Sequence, residues 1–341
     1  MAKIIPKKSI SVESNWQKEL ATSFTDPQKL LKYLNIPVAE QVKNIEARSL
    51  FPMRVPQYFA DLMHKGDPQD PLFRQVFPLY DEYLEDPAYT VDPLQEQETP
   101  QQGILHKYQT RALLMVRGGC AVNCRYCFRR HFPYQQNSLN KQGWLEALEY
   151  IAQDPNLNEI IYSGGDPLMA KDDFLAWLTS QIEQIPHITR LRMHTRLPVV
   201  IPNRIDKHFL KWITQSRLKM IMVLHINHAN EIDTKLITKL KLLRENQVTL
   251  LNQSVLLATV NDSAENQIAL SERLFEAGVM PYYLHMLDKV KGATHFDVSE
   301  NRAREIMAEM IKRLPGFLVP KLVREIGGQP GKTPLDLHLH P

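Results

Sequence analysis

The chain predicts an α/β fold: a parallel sheet with crossover helices, rolled wholly or partly into a barrel. Three observations carry that expectation. From about residue 106 onward, short apolar runs rich in β-branched residues alternate with amphipathic stretches. The runs recur roughly every 30 to 45 residues, the size of one βα unit. The unusual residues of the sequence fall just past the ends of those runs, where barrels of this kind collect their chemistry.

Length and composition agree. The 341 residues, 43% hydrophobic and 23% charged, describe an ordinary globular chain with enough material for two domains or one large barrel. Lys and Arg number 41 against 38 Asp and Glu, a formal charge of +3. That balance excludes a whole-surface electrostatic grip on nucleic acid or on an anionic membrane. The opening MAKIIPKKSISVES has basic residues but no apolar core of leader length, and no later run approaches the ~20 apolar residues of a membrane helix. A reducing cytoplasm is the expected setting, and it suits thiolate ligands.

Three segments follow in order. Residues 1–105 form a lead-in of short helices and extended turns, because eight of the 23 prolines lie between residues 51 and 100 and proline removes a donor and pushes its predecessor out of the α region. Residues 106–316 form the βα core. Its strands are expected at 112–116, 159–163, 190–195, 219–226, 248–257 and 281–287, with a further strand at 317–323. Helical periodicity is clearest at 172–185, where Leu175, Leu178, Ile182 and Ile185 recur every three or four residues, and at 301–314. Residues 317–341 close the chain with that last strand and a glycine-rich loop.

The residues after the strands carry the chemistry. Six of the 13 glycines form three pairs, Gly118-Gly119, Gly164-Gly165 and Gly327-Gly328, each just beyond a predicted strand. The first pair leads into Cys120, Cys124 and Cys127, the only three cysteines, so a disulfide framework is excluded and a metal centre is indicated. Two metals compete on spacing alone. Zinc would take His131 as a fourth ligand, and the neighbouring arginines and aromatics would then make a nucleic-acid-binding knuckle. Alternatively the three thiolates hold a 4Fe-4S cluster and leave one iron open for chemistry.

CxxxCxxC after a first barrel strand, with Tyr126 before its last cysteine, resembles the signature of the radical S-adenosylmethionine superfamily. Gly164-Gly165-Asp166-Pro167 is similar to that superfamily's second signature, the turn that meets the methionine amino group. The resemblance implies a partial barrel of the (β/α)6 type, with a cluster on Cys120, Cys124 and Cys127 whose open iron chelates S-adenosylmethionine. The glycine pair is then expected to let backbone approach the cofactor closely.

The loop GGQPGKTP around Lys332 resembles the lysine 2,3-aminomutase family, whose glycine-bounded lysine forms a Schiff base with pyridoxal 5′-phosphate. The likeness runs from about His106 to the end and includes TRLPVV at 195–200 and HINH at 225–228. It is nearest to the shorter bacterial members that act with the elongation factor P modification system. It implies that Lys332 anchors pyridoxal phosphate, that Tyr108 and Arg111 hold it, and that His225 and Gln253 reach S-adenosylmethionine. Arg129 would fork onto the substrate carboxylate. Asp288 and Glu325 would meet the ε-ammonium of lysine; the family usually has aspartate where this chain has Glu325. An aminomutase for another amino acid, such as glutamate, is the alternative within the class, and the two acids favour a cationic side chain. Free L-lysine as substrate, a β-lysine ligase acting on elongation factor P, and an electron donor such as a flavodoxin are the implied partners. Nine residues follow Lys332, whereas longer relatives use a further extension in assembly, which leaves a homo-oligomer open.

Overall fold

The strands follow one another across a single sheet in chain order: β1 Ile104–Leu105, β2 Arg111–Arg117, β3 Glu159–Gly164, β4 Arg190–Thr195, β5 Lys219–Leu224, β6 Thr249–Val255, β7 Met280–His285, β8 Lys321–Arg324 and β9 Thr333–Pro334. The computed structural model describes residues 16–97 and 101–339. The opening stretch read for a leader, Pro100 and the last two residues of the C-terminal segment lie outside them. From β2 to β8 every neighbouring pair is parallel. The two outermost strands run antiparallel. Among the described residues β1 and β9 do not pair with each other, so the barrel is partial, as expected.

Parallel neighbours require crossovers, and six helices supply them: α6 Lys141–Gln153, α7 Asp172–Ile182, α9 Lys207–Gln215, α10 Thr234–Glu245, α11 Ala264–Glu276 and α12 Glu300–Arg313. Their starts are written locally. Asn140, Asp206, Asp233, Ser263 and Ser299 each accept a backbone N–H of the first turn, each worth about 1 kcal/mol. Only α7 lacks such a cap among the six, and it carries Asp172 and Asp173 in its first turn instead, where carboxylates complement the helix dipole.

Side-chain alternation separates two layers. On β4, Leu191 and Met193 join Leu175 and Leu178 of α7 in the main apolar cluster, whereas Arg192 and His194 line a cavity on the other face. Leu178 is fully buried there, and truncation to alanine would cost about 2–5 kcal/mol. One predicted strand starts late. Gly316–Leu318 forms a 3-10 turn and Phe317 is exposed, because Pro315 and Pro320 bracket the segment and neither can donate to a ladder.

The lead-in contributes α1 Trp16–Ala21, α2 Pro27–Tyr33, α3 Val42–Glu46, α4 Gln57–Asp61 and α5 Pro71–Arg74, while the four-residue α8, Leu197–Val200, follows β4. Trp16, Leu30, Leu31, Phe59, Phe73 and Phe77 share one continuous core with the barrel. The lead-in is therefore packed into the same core as the strands it precedes.

Candidate active site

A cavity of about 650 Å³ opens at the C-terminal ends of the parallel strands, and every site residue that the family resemblance implies lines it. Cys120, Cys124 and Cys127 are free thiols on one wall. Burial raises Cys120 well above the usual thiol range, with added repulsion from Cys127 and Asp166. Cys127 is pushed up to about 11 by burial and by Cys124. A metal that binds such thiols replaces their protons. Among the described residues, no three His, Cys, Asp or Glu side chains already stand at metal-ligating geometry; the ligand set is read from spacing and a shared wall.

The zinc arrangement is absent. His131 is exposed, does not line the cavity, and contacts the Lys291 carbonyl at 3.3 Å. The arginines of the supposed knuckle are buried inward. Glu82 of the lead-in takes Arg125 at 2.7 and 2.6 Å and Arg130 at 2.8 Å, which leaves neither free for phosphate. Together with the Arg54 bond to the Cys120 carbonyl at 3.0 Å, these contacts fasten the cysteine loop to the lead-in.

The glycine turn packs tightly against a second turn of the protein. Gly164 has φ +125°, and a Cβ there would lie 2.2 Å from the Arg117 carbonyl. One on Gly165 would lie 2.8 Å from the carbonyls of Gly118 and Gly119. This close approach is between two turns of the protein. Asp166 completes the weld. Its carboxylate accepts Thr195 Oγ1 at 2.8 and 2.9 Å and the backbone N–H groups of Leu168, Arg196 and Leu197.

The opposite wall is charged. Lys332 Nζ donates to Glu325 at 2.5 Å, and Glu325 also accepts from Tyr108 at 3.3 Å. Burial alone would raise the Glu325 carboxyl, but Lys332 and Lys107 outweigh it and hold it below its ordinary value. Asp288 has no hydrogen-bond donor among the described residues. Burial, then the charge of Glu325, push it up to about 7. Arg129 already grips a carboxylate, that of Glu96, at 2.6 and 3.0 Å, and reaches Ser163 at 2.8 Å. Arg111 stacks 3.8 Å over the Tyr108 ring and has no acidic partner among the described residues. Such a cation suits a phosphate.

Sequence reading missed Glu96, Lys107, Arg192, His194, Arg196 and His285, all of which line the same cavity. His225 meets Gln253 at 2.9 Å and is lowered to about 3 by burial and by Arg196. His194 Nε2, His285 Nε2, Gln253 Oε1 and Arg192 Nε are buried without partners. Unmatched polar atoms of this kind fit a polar cofactor. The signal for His194 and Arg192 was the alternation in RLRMHT, where polar residues occupy the inward positions of a buried strand. Glu96 and Lys107 carried none.

An open α/β barrel with three thiols at the rim defines a class. Residues 115–216 match the family model described as the Radical SAM superfamily. The chain is 55% identical over 340 residues to the L-lysine 2,3-aminomutase of Escherichia coli K12, covering 99% of each. It is 51% identical to the enzyme of that name from Haemophilus influenzae, covering 97% of this chain and 98% of that one. Against that of Clostridium subterminale it is 30% identical, covering 94% of this chain and 78% of the other. The chain belongs to the lysine 2,3-aminomutase family. That membership makes it an isomerase whose cofactors are a 4Fe-4S cluster, S-adenosylmethionine and pyridoxal 5′-phosphate. None of the described helices is long and apolar enough to cross a membrane.

Proposed function

We propose that this protein converts L-α-lysine to β-lysine by moving the α-amino group to C3. The observation that carries this reading is the meeting, in one cavity, of the cysteine triad, Lys332 and the acids Asp288 and Glu325. When bound, the cluster with S-adenosylmethionine would supply a carbon radical that removes hydrogen, and pyridoxal phosphate would supply a carrier for the migrating nitrogen.

The chain's own residues bind, orient and exclude. Cys120, Cys124 and Cys127 hold iron. Lys332 anchors the pyridoxal carbonyl, with Tyr108 and Arg111 beside it, Arg111 toward the phosphate. The Gly164-Gly165 turn, braced by Asp166, positions S-adenosylmethionine with His225 and Gln253. Arg129, held by Glu96, Ser163 and the Gly164 carbonyl, faces the substrate carboxylate and exchanges part of that grip for it. Asp288, lacking any donor, is completed by the ε-ammonium, and Glu325 supports it. The buried wall shields a radical from solvent. The resemblance to short bacterial members supports a product destined for the β-lysine ligase of elongation factor P modification, a flavodoxin-type donor and a cytoplasmic setting.

The test is anaerobic turnover. Reconstituted protein, S-adenosylmethionine, pyridoxal phosphate, reductant and carbon-labelled L-lysine are followed by NMR for the β-amino isomer. Its formation supports the reading; cleavage of S-adenosylmethionine with no β-lysine removes lysine as the substrate.

A further inference from the structure

Arg196, just past the C-terminal end of β4, is bound through both of its terminal amino groups. Its Nη1 lies 2.9 Å from Cys124 Sγ and 2.6 Å from the Tyr126 hydroxyl. Its Nη2 donates to Gln75 Oε1 at 2.7 Å and to Glu231 Oε2 at 2.9 Å. Glu231 is fully buried, and its other oxygen accepts the N–H groups of Asn227 and His228 at 2.9 and 3.0 Å and Gln75 Nε2 at 3.2 Å. Asn227 ties the same Tyr126 hydroxyl and Gln75 from the end of β5. Lead-in, cysteine loop, β4 and β5 thus converge on one guanidinium whose free edge meets a sulfur.

A strut that only held loops together would have no reason to aim a permanent charge at a thiol. Arginine stays protonated under all physiological conditions and presents its donors in a rigid plane. Donation to a ligand sulfur draws electron density from an iron–sulfur centre and favours its reduced state, and burial strengthens the effect by lowering the local dielectric. Glu231 stands behind the guanidinium and moderates its field. The Nε of Arg196 is buried without an acceptor.

We propose that Arg196 is a positioning residue for the cluster: its Nη1–H···Sγ bond to Cys124 raises the reduction potential, and Glu231 sets how far. The inference rests on the reading that Cys124 is a cluster ligand. It assigns to the segment TRLPVV the task of making the cluster reducible.

The test is an EPR-monitored redox titration of the reconstituted holoenzyme without substrate, with iron and labile sulfide measured on every sample. Arg196→Gln should lower the potential, read as about a tenfold smaller ratio of reduced to oxidised cluster at the wild-type midpoint. Arg196→Lys should fall between. Glu231→Gln, which removes the moderating charge and keeps the shape, should move the midpoint the opposite way. Should Arg196→Gln fail to fold, Arg196→Lys and Glu231→Gln decide alone. An unchanged midpoint in an iron-replete Arg196 variant overturns the proposal, as does a Glu231→Gln shift in the same direction as the Arg196 variants. Wild-type protein that takes up no iron and sulfide overturns the cluster reading itself, a failure that is told apart by composition.

Discussion

The two walls of the cavity are built on opposite plans. Behind the cysteines, nearly every polar group has its partner inside the protein: Glu82 with two arginines, Asp166 with a hydroxyl and three backbone donors, Glu231 with Arg196. Around Lys332 the charged groups hold one another, and several polar atoms hold nothing. Asp288 lacks a donor, and His194, His285 and Gln253 keep unmatched atoms. The charges of the first wall are paired by folding, although Arg130 Nε and Arg196 Nε stay unmatched, and those of the second are completed by what binds. Buried unmet groups are costly to a fold, so those that line the cavity mark where ligands repay that cost.

Breaking the first wall should have the largest effect. Cys127→Ala is expected to abolish cluster assembly and all turnover, measured as loss of iron and of the brown colour. Next comes Lys332→Ala, which should remove the visible absorption of bound pyridoxal phosphate and lower turnover by more than about 1000-fold, with iron content retained. Retained absorption would place the anchor elsewhere.

Asp288→Asn sharpens the contrast, because it keeps the shape and removes a charge that waits for a cation. Loss of a charge-assisted bond of about 2 kcal/mol raises KM for lysine roughly thirtyfold, with a smaller change in kcat. The same group sets a pH dependence. With its pKa near 7, Asp288 is neutral below that pH and ionised above it, so KM for lysine should fall from pH 6 to pH 8 and be flat in Asp288→Asn. Stability runs the other way. The folded protein keeps a proton that the unfolded chain releases near pH 4, so this carboxyl weakens the cofactor-free fold as pH rises from about 4 to 7. Thermal melts of the wild type and Asp288→Asn across that window check the sign.

The smallest effect belongs to Glu325→Asp. Shortening it by one methylene draws the carboxylate back from Lys332 and Tyr108, worth about 1 kcal/mol or roughly fivefold in kcat/KM. An effect as large as that of Asp288→Asn would make the two acids equal partners.

What could be read from the sequence follows the same division. The triad, the glycine pairs and Lys332 were legible because their residue types are rare and their spacing is local. The repeating βα rhythm placed six crossover units and the rim that gathers them. The groups that brace or complete the site were not legible, since each contributes one residue from a separate element. Glu96 and Gln75 come from the proline-rich lead-in, whose irregular path no periodicity describes. Asp166 was legible as part of a motif but its bracing contacts were not, because a carboxylate's partners lie on the neighbouring strand, 29 residues away in the case of Thr195. The glycine pair likewise carried a constraint that its spacing does not show, the crowding by Arg117, Gly118 and Gly119.

The sheet ends in β1 and β9, each two residues long and antiparallel to its neighbour. A barrel left open has two margins, and exposed peptide groups at such margins are the usual invitation to intermolecular strand addition and fibril growth; here β1 is buried. Margins this short offer a passing chain almost no length to zip against. The molecule can therefore leave its rim unclosed for large ligands without becoming a template for its own aggregation.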